Sequence, residues 1–457
     1  MCGIVGLSHH KEASKMAFLG LYALQHRGEE AAGIVSYDGK EMHVIKKEGL
    51  AVDNFDESTI SMLKGHMALG HTRYSTTGGS HNKNIQPIIV SHRRQLMALA
   101  HNGNLTNADE LYRTLEDEGS IFQTSMDSEV FVHLLAKTAH DNMAQWLTKV
   151  FSRVEGAYSV ILLLEDCLVG ARDPHGFRPL CLGSLGDGYI LASESCAFDL
   201  MKAEFVREIE PGEIVIIKGN KVESVFLPGS KTSRRAFCVF ENVYFARPDS
   251  TIFGDNIYQV RKRLGAQLAI EHPADADFVM GIPDSGNYAA LGYAQQLNLP
   301  FELGMIRNHY IGRTFIQPTQ FLREFRVRVK LNPIPDVIKG KRVIVIEDSI
   351  VRGTTSRSRI EEIREAGARE IHMRISCPPI KHPCFYGIDF PSTSELIAHS
   401  KTVAQIADFI KVDSLGFLSL EGMLSVMKGK DSFCSACFTG NYATPVPKNT
   451  DKLKMET

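Results

Sequence analysis

The sequence predicts two unlike folding units in one chain. The first is an α+β unit of stacked antiparallel sheets with helices outside, and the second an α/β unit built on a parallel sheet. Three observations point there. At 457 residues the chain is too long for one ordinary core. Its first half strings together short apolar runs with few helical stretches between them. Its second half alternates helix-period and strand-period segments, as βαβ units do. The polar, breaker-rich stretch Pro228-Gly229-Ser230-Lys231-Thr232-Ser233-Arg234-Arg235 marks the join. Units are expected over 2–229 and 238–442, with a loose tail over 443–457.

Taken in order, Cys2–Leu7 reads as a strand and Lys15–His26 as a helix. Met16, Leu19, Ala23 and His26 fall at helical spacing there, with Gly28 just beyond. Further strands are predicted at Met67–His71, Leu96–His101, Ser159–Leu164, Leu168–Arg172, Ile190–Ser193 and Glu213–Ile217, and a helix at Ser128–Lys137. Beyond the join, a helix over Ile257–Ile270 precedes a strand at Phe278–Gly281. A helix over Tyr288–Gln296 then leads to a strand at Phe301–Met305. Arg342–Ile346 is a buried-type strand, followed by a helix over Thr355–Ala366 and a strand at Glu370–Ser376. No internal repeat is present.

Composition narrows the function classes. A 44% hydrophobic, 23% charged chain is that of a folded protein, and a net charge of -2 provides no general basic field for nucleic acid. The richest apolar run, Tyr158–Leu164, is too short to span a bilayer, and the start lacks a secretory pattern, so a cytoplasmic location is expected. Nine cysteines in such a setting are not a disulfide framework. Cys434-Ser435-Ala436-Cys437 is their one close pair, spaced for a metal or a redox couple.

Cys2 opens the first strand, and removal of Met1 alone would leave a thiol and a free α-amino group on one residue. The reference pKa of such an amine is about 7.7–8.0 and of a thiol about 8.5. The amine therefore serves as base for its own side chain near neutral pH, and no separate histidine is needed. The plainer reading of Cys2 is a small core residue.

Four stretches favour the first reading. His71-Thr72-Arg73-Tyr74-Ser75-Thr76 places Arg73 just after a strand, suited to bidentate capture of a carboxylate. His101-Asn102-Gly103-Asn104 offers an amide and a glycine N–H on a tight turn, the parts of an oxyanion hole. Ser125-Met126-Asp127-Ser128-Glu129 places a carboxylate for an ammonium group, and Gln25-His26-Arg27-Gly28-Glu29 adds a helix-end arginine. Singly, each has an ordinary structural reading. Together, an arginine, an aspartate and a thiol fit an amino acid bearing a side-chain amide, namely glutamine.

As an ordered set these stretches closely resemble the class II glutamine amidotransferase domain of the N-terminal nucleophile hydrolases. The resemblance implies a four-layer αββα sandwich. It implies that Cys2 attacks the amide, that Asn102 and Gly103 stabilise the oxyanion, and that Arg73 and Asp127 grip the α-carboxylate and α-amine. Arg27 joins them as a glutamine-binding residue.

In the second half, Arg342–Ile346 runs into Glu347-Asp348-Ser349-Ile350-Val351-Arg352-Gly353-Thr354-Thr355. Ligands of parallel sheets collect beyond the carboxyl ends of strands. Two carboxylates there hold ribose hydroxyls or a divalent cation, and the following turn and helix start cradle phosphate. A second candidate anion loop, Gly281-Ile282-Pro283-Asp284-Ser285-Gly286, follows the Phe278 strand, with Gly286 expected at positive φ. Two such loops on one sheet suit a ligand with two separated phosphate groups. Neither a Walker A loop nor G-x-G-x-x-G occurs.

This half resembles a type I phosphoribosyltransferase. The resemblance implies that Glu347 and Asp348 face the ribose of phosphoribosyl pyrophosphate (PRPP). It places Gly353, Thr354 and Thr355 around the 5-phosphate and Asp284, Ser285 and Gly286 by the pyrophosphate, with Ser349 and Arg352 also among the PRPP-binding residues. Mg²⁺ would lie at Ser285, Glu347 and Asp348. The amidotransferase branch usually carries two aspartates where this chain has Glu347-Asp348. By the same resemblance, the basic segment 309–319, with Arg323, Arg326, Arg328 and Lys330 after it, is a flap that closes over PRPP and excludes water.

Both halves in this order resemble the amidophosphoribosyltransferase family over nearly the whole chain except the tail. The implied reaction converts glutamine, PRPP and water to 5-phosphoribosylamine, glutamate and pyrophosphate, committing the pathway to purine nucleotides (IMP). Ammonia passage between the sites, feedback inhibition by purine nucleotides and a homotetramer are implied as well. A sugar-isomerizing class II amidotransferase would lack the Glu347–Thr355 loop. A PRPP- or nucleotide-sensing regulator would bind ligand without glutaminase activity, and intact Cys2, Arg73, Asn102 and Asp127 weigh against it.

Cys238, Cys384, Cys434 and Cys437 are, by residue chemistry alone, a 4Fe-4S set, a structural zinc set or four unrelated thiols. The family resemblance selects the cluster, since they coincide with the ligands of its iron–sulfur branch. Cys167, Cys181, Cys196 and Cys377 are read as core.

Overall fold

Apolar runs such as Ile4-Val5 and Ile161-Leu162-Leu163 leave no polar face to a strand, so the sheets that contain them must be covered on both sides. The computed structural model, which describes residues 1–74, 82–93, 95–139, 142–308, 331–390 and 392–447, meets that demand by stacking. The first half supplies β1 (Gly3–Leu7), β2 (Ala31–Tyr37), β3 (Met42–Glu48), β4 (Met67–Arg73), β5 (Ile88–His92), β6 (Gln95–Leu105) and β7 (Gly156–Leu164). It continues with β8 (Leu168–Arg172), β9 (Cys181–Leu185), β10 (Gly188–Ala192), β11 (Glu204–Glu208), β12 (Glu213–Lys218) and β13 (Lys221–Phe226). One sheet has the order β11-β9-β10-β1-β4-β2-β3 and the other β13-β12-β8-β7-β6-β5, with antiparallel pairing throughout.

Alternate residues divide between the two faces. Ile4, Val35, Leu69, Ala98, Ile161 and Leu163 pack between the sheets. Val5, Ile34 and Ala68 face outward onto helix α1 (Ala13–Ala23). Leu99, Val160 and Leu162 face α2 (Ala108–Asp117), α3 (Ser128–Lys137) and α4 (Met143–Phe151). The layers are therefore helix, sheet, sheet, helix, as the sandwich expectation had it. Close approach demands glycine at one point: a Cβ on Gly20 of α1 would lie 2.9 Å from Val5 Cγ2.

Beyond the join, α5 (Ile257–Glu271), β14 (Phe278–Gly281), α6 (Ser285–Leu297), β15 (Arg342–Glu347), α7 (Thr354–Glu365) and β16 (Glu370–Ile375) alternate as predicted, and β17 (Ser414–Phe417) is a further strand that the sequence reading did not include. The strands form one parallel sheet, β14-β15-β16-β17. Cys238 pairs with Cys434 in a two-residue parallel ribbon that ties the join to the C-terminal segment.

Several expectations are corrected. Helix α1 stops at Ala23, and a 3₁₀ turn, Gln25–Arg27, completes the segment predicted to run to His26. The predicted strand Phe301–Met305 is a single bridge from Phe301 to Val279. The paired strand is Met305–Arg307, which finds its partner in Leu331–Pro333. Within the expected tail, Thr444 N donates to Tyr386 Oη at 3.0 Å and the Thr444 hydroxyl lies 3.1 Å from it. Ser75, Thr76, the segment 309–330 and the rest of the tail lie outside the described residues.

Candidate active site

The central position of β1 brings Cys2 to the edge of its sheet beside the end of β4, where Gly3 pairs with Thr72. Cys2 N donates to Asn102 Oδ1 at 3.1 Å, and its Sγ is 3.6 Å from the Tyr74 carbonyl. Asn102 is fully buried, and its Nδ2 has no hydrogen-bond partner among the described residues. An unpaired buried amide is costly. Next to Cys2, it is the kind of donor that a developing oxyanion would engage.

Asn102 and Gly103 do not form the expected tight turn. They lie within β6, opposite Ser159 and Tyr158 of β7, and the ladder runs on to Leu105. Glycine is required because a Cβ on Gly103 would come within 2.0 Å of the Ala157 carbonyl oxygen. Asp127, just before α3, accepts from Leu105 N at 2.8 Å and stands 3.7 Å from His101 Nδ1. Arg73 is buried and donates to the Asn84 carbonyl.

Arg27 is buried. Its Nε donates to the Cys2 carbonyl at 3.0 Å. Its two terminal nitrogens engage both oxygens of Glu241, at 3.0 and 2.8 Å, and Nη1 also meets Glu194. Burial works against its charge, but Glu241 and Glu194 hold the guanidinium above the usual arginine range. The fork therefore meets the Cys2 backbone and two carboxylates. For Glu194, burial opposes ionisation, yet His26 and Arg27 hold it well below the ordinary carboxylate range.

The second cluster forms where the parallel sheet ends. Glu347 Oε2 accepts from Ser356 Oγ at 2.8 Å. Asp348 accepts from Ser285 Oγ at 2.5 Å and from Ser349 Oγ at 2.6 Å, so one carboxylate joins the two predicted anion loops. Burial, with the neighbouring Asp348 adding, pushes Glu347 up to about 8, and burial raises Asp348 as well. Gly353, at φ 76°, caps the start of α7 beside Thr354 and Thr355. Gly286 lacks the expected positive φ. It sits in the first turn of α6, where a Cβ would approach Ile346 O to 2.4 Å, so glycine is needed for helix–sheet contact instead. Asp284 pairs with Arg307, and Arg352 pairs with Glu395 at 2.9 Å.

All of these groups except Gly286, Ile346 and Glu395 line a cavity of about 710 Å³ that also takes in His26, Glu29 and Tyr74 from the first half. The sequence reading missed Glu194, Glu241, Arg261 and Ser356. Glu241 carried one signal, a carboxylate directly after the apolar run Phe237-Cys238-Val239-Phe240.

Cys238, Cys384, Cys434 and Cys437 line one small apolar cavity with Phe177, Tyr386, Phe390 and Tyr442. Tyr386 N donates to Cys384 Sγ at 3.3 Å. Burial pushes the Cys238 thiol up to about 11 and that of Cys434 up to about 12. Cys167, Cys181, Cys196 and Cys377 are all buried.

A family model described as a glutamine amidotransferase domain matches residues 71–199. A protein of Bacillus subtilis (strain 168) named amidophosphoribosyltransferase is 47% identical over 455 residues, covering 98% of this chain and 95% of its own length. Another of that name, from Archaeoglobus fulgidus, is 46% identical over 98% of this chain and 99% of its own. The solved structure of glutamine PRPP amidotransferase from B. subtilis, complexed with ADP and GMP, superposes with a TM-score of 0.91. It is 46% identical and covers 98% of this chain and 99% of the other.

Proposed function

This chain belongs to the amidophosphoribosyltransferase family, and on that premise we propose how its residues divide the work. It is an enzyme whose substrates are glutamine and PRPP, acting at the first step of purine biosynthesis. Residues 2–229 form the glutaminase unit and 238–442 the phosphoribosyltransferase unit.

In the first unit, cleavage after Met1 turns Cys2 N into an amine. That amine, on the same residue as the thiol, serves as its base. The amine takes the thiol proton, and Sγ attacks the glutamine carbonyl. Asn102 Nδ2 and the Gly103 N–H receive the oxyanion, while Arg73 and Asp127 hold the α-carboxylate and α-amine. Arg27 holds the Cys2 carbonyl. The protonated amine then gives its proton to the amide nitrogen as the C–N bond breaks and ammonia leaves, and water cleaves the thioester to give glutamate and restore the thiol.

In the second unit, Glu347 and Asp348 hold the ribose, and Ser349, Arg352, Gly353, Thr354 and Thr355 surround the 5-phosphate. Asp284, Ser285 and Gly286 lie by the pyrophosphate. A hard cation fits two adjacent carboxylates, Glu347 half-buried and Asp348 buried, beside the Ser285 hydroxyl. Mg²⁺ at Ser285, Glu347 and Asp348 would act as a Lewis acid toward the leaving pyrophosphate.

The four clustered cysteines fit a 4Fe-4S group better than zinc. Zn–S bonds of about 2.3 Å put thiolates roughly 3.8 Å apart around one ion. Among the described residues, no three of these sulfurs lie within 4.8 Å of one another, although all four line one cavity. The cluster would staple the join, the loop at Cys384 and the C-terminal segment together. Purine nucleotides as feedback ligands, a homotetramer and a cytoplasmic location complete the proposal. No helix among the described residues is long and apolar enough to cross a membrane.

The single observation that carries the division of labour is the shared cavity, with the Glu347–Thr355 loop on one side and His26, Glu29 and Tyr74 on the other. Replacing Cys2 by Ala tests it. Glutamine-dependent synthesis should vanish while free ammonia still supports phosphoribosylamine formation. Equal loss of both activities in a folded variant would refute the assignment.

A further inference from the structure

The charges behind Cys2 come from both halves of the chain. Arg27, Arg178 and Glu194 belong to the glutaminase sandwich, whereas Glu241 follows the join and is fully buried. Glu241 takes both terminal nitrogens of Arg27, at 2.8 and 3.0 Å, and lies 3.4 Å from Arg178 Nη1. The other carboxylate on Arg27 is already shared: Glu194 also meets His26 at 2.8 Å, Arg247 N at 2.9 Å and Ser250 Oγ at 2.7 Å. Without Glu241, the carboxylate left on the Arg27 guanidinium is Glu194, which meets Nη1.

Glu241 also opens a single π-helical turn, Glu241–Phe245, of the kind often found at functional sites. Arg261 clamps that turn by donating to the carbonyls of Asn242, Tyr244 and Ala246 at 2.8–2.9 Å. Tyr244, Phe245 and Arg261 line the large cavity with Asp348. One short turn therefore touches the PRPP side with its aromatic residues and the nucleophile's arginine with its first carboxylate.

We propose that Glu241, carried by the phosphoribosyltransferase half, is a positioning residue for the glutaminase nucleophile, acting through Arg27 on the Cys2 backbone. The proposal rests on the reading of Cys2 as nucleophile. Glu241 touches no substrate; it fixes the placement of Cys2 relative to Asn102 Nδ2. Misplacement by about 1 Å costs on the order of a hundredfold in rate.

The test compares E241Q and E241D with the parent enzyme and with C2A, all as full chains, in glutamine-dependent and ammonia-dependent synthesis. E241Q should lose about a hundredfold in kcat for glutamine with KM for glutamine little moved, because Arg73 and Asp127 are untouched. Ammonia-dependent synthesis should stay within about twofold, since Glu241 does not line the PRPP cavity. E241D, which keeps the charge on a shorter arm, should recover part of the loss, and it decides the matter alone if E241Q fails to fold. Unchanged glutamine turnover in the folded variants would overturn the proposal, as would a parallel fall in both activities. Persistence of glutamine turnover in C2A would overturn the reading of Cys2 and this proposal with it. Loss in C2A with full activity in E241Q would overturn this proposal alone.

Discussion

Replacing Asn102 by Ala isolates the oxyanion argument. Asn102 has two atoms with different tasks: Oδ1 accepts from Cys2 N at 3.1 Å, and Nδ2 is a buried donor with no partner among the described residues. One oxyanion donor contributes about 2.7–4 kcal/mol to the transition state, or 10²–10³ in kcat at about 1.36 kcal/mol per tenfold. The effect on stability should be much smaller. An unpaired buried donor costs about 1–3 kcal/mol, so its removal offsets the bond forfeited at Cys2 N and leaves a net change within about 2 kcal/mol. Glutamine-dependent and ammonia-dependent synthesis are measured on the same preparation, with thermal melting as the fold control. The expected result is a 10²–10³-fold fall in glutamine kcat with ammonia-dependent turnover preserved. A loss confined to KM, or an equal loss with ammonia, would refute Nδ2 as the oxyanion donor.

Three further outcomes follow from the same geometry. Gly286→Ala places a Cβ 2.4 Å from Ile346 O; parting α6 from β15 should cost about 1–3 kcal/mol and raise KM for PRPP, and an unchanged KM would contradict the close-approach argument. Glu347, pushed up to about 8 by burial and by Asp348, binds its proton more tightly folded than unfolded. The metal-free enzyme should therefore be most stable, relative to Glu347→Gln, below the ordinary carboxylate range near pH 4.3 and lose that advantage as pH rises toward 8. A melting-temperature difference between the two that stays constant with pH would refute it. Replacing Cys384 by Ser should remove iron and sulfide from anaerobically purified protein, checked by elemental analysis; zinc in the unmodified protein, without iron or sulfide, would exclude the cluster.

How much was legible beforehand depended on whether the signal was local. The parallel half was readable because β14, β15 and β16 are short apolar runs closed by turn residues, and α5, α6 and α7 carry helical spacing. The strands β2 and β3 escaped notice. Ala31–Tyr37 has small residues, and Met42–Glu48 is largely exposed, so neither shows the expected apolar alternation. Gly286 illustrates a wrong reason for a right residue: glycine is needed there, but the Ile346 carbonyl requires it and no turn does. Asn102-Gly103 looked like a turn because that dipeptide favours turns, and pairing with β7 overrode the preference.

Cys2, the Glu347–Thr355 loop and the paired cysteines near the C-terminus carry their chemistry in residue type and local spacing, so the sequence by itself determined the family and the reaction. The task of Arg27 is different, because a guanidinium serves whichever carboxylates surround it. Glu194 and Glu241 are 167 and 214 residues away, and their convergence is a consequence of packing one half of the chain against the other. Only the tertiary structure decided that, as it decided that Asp348 joins both anion loops through Ser285. Long-range electrostatic partnership leaves no periodicity in a chain; it arises when buried charges must find one another away from water.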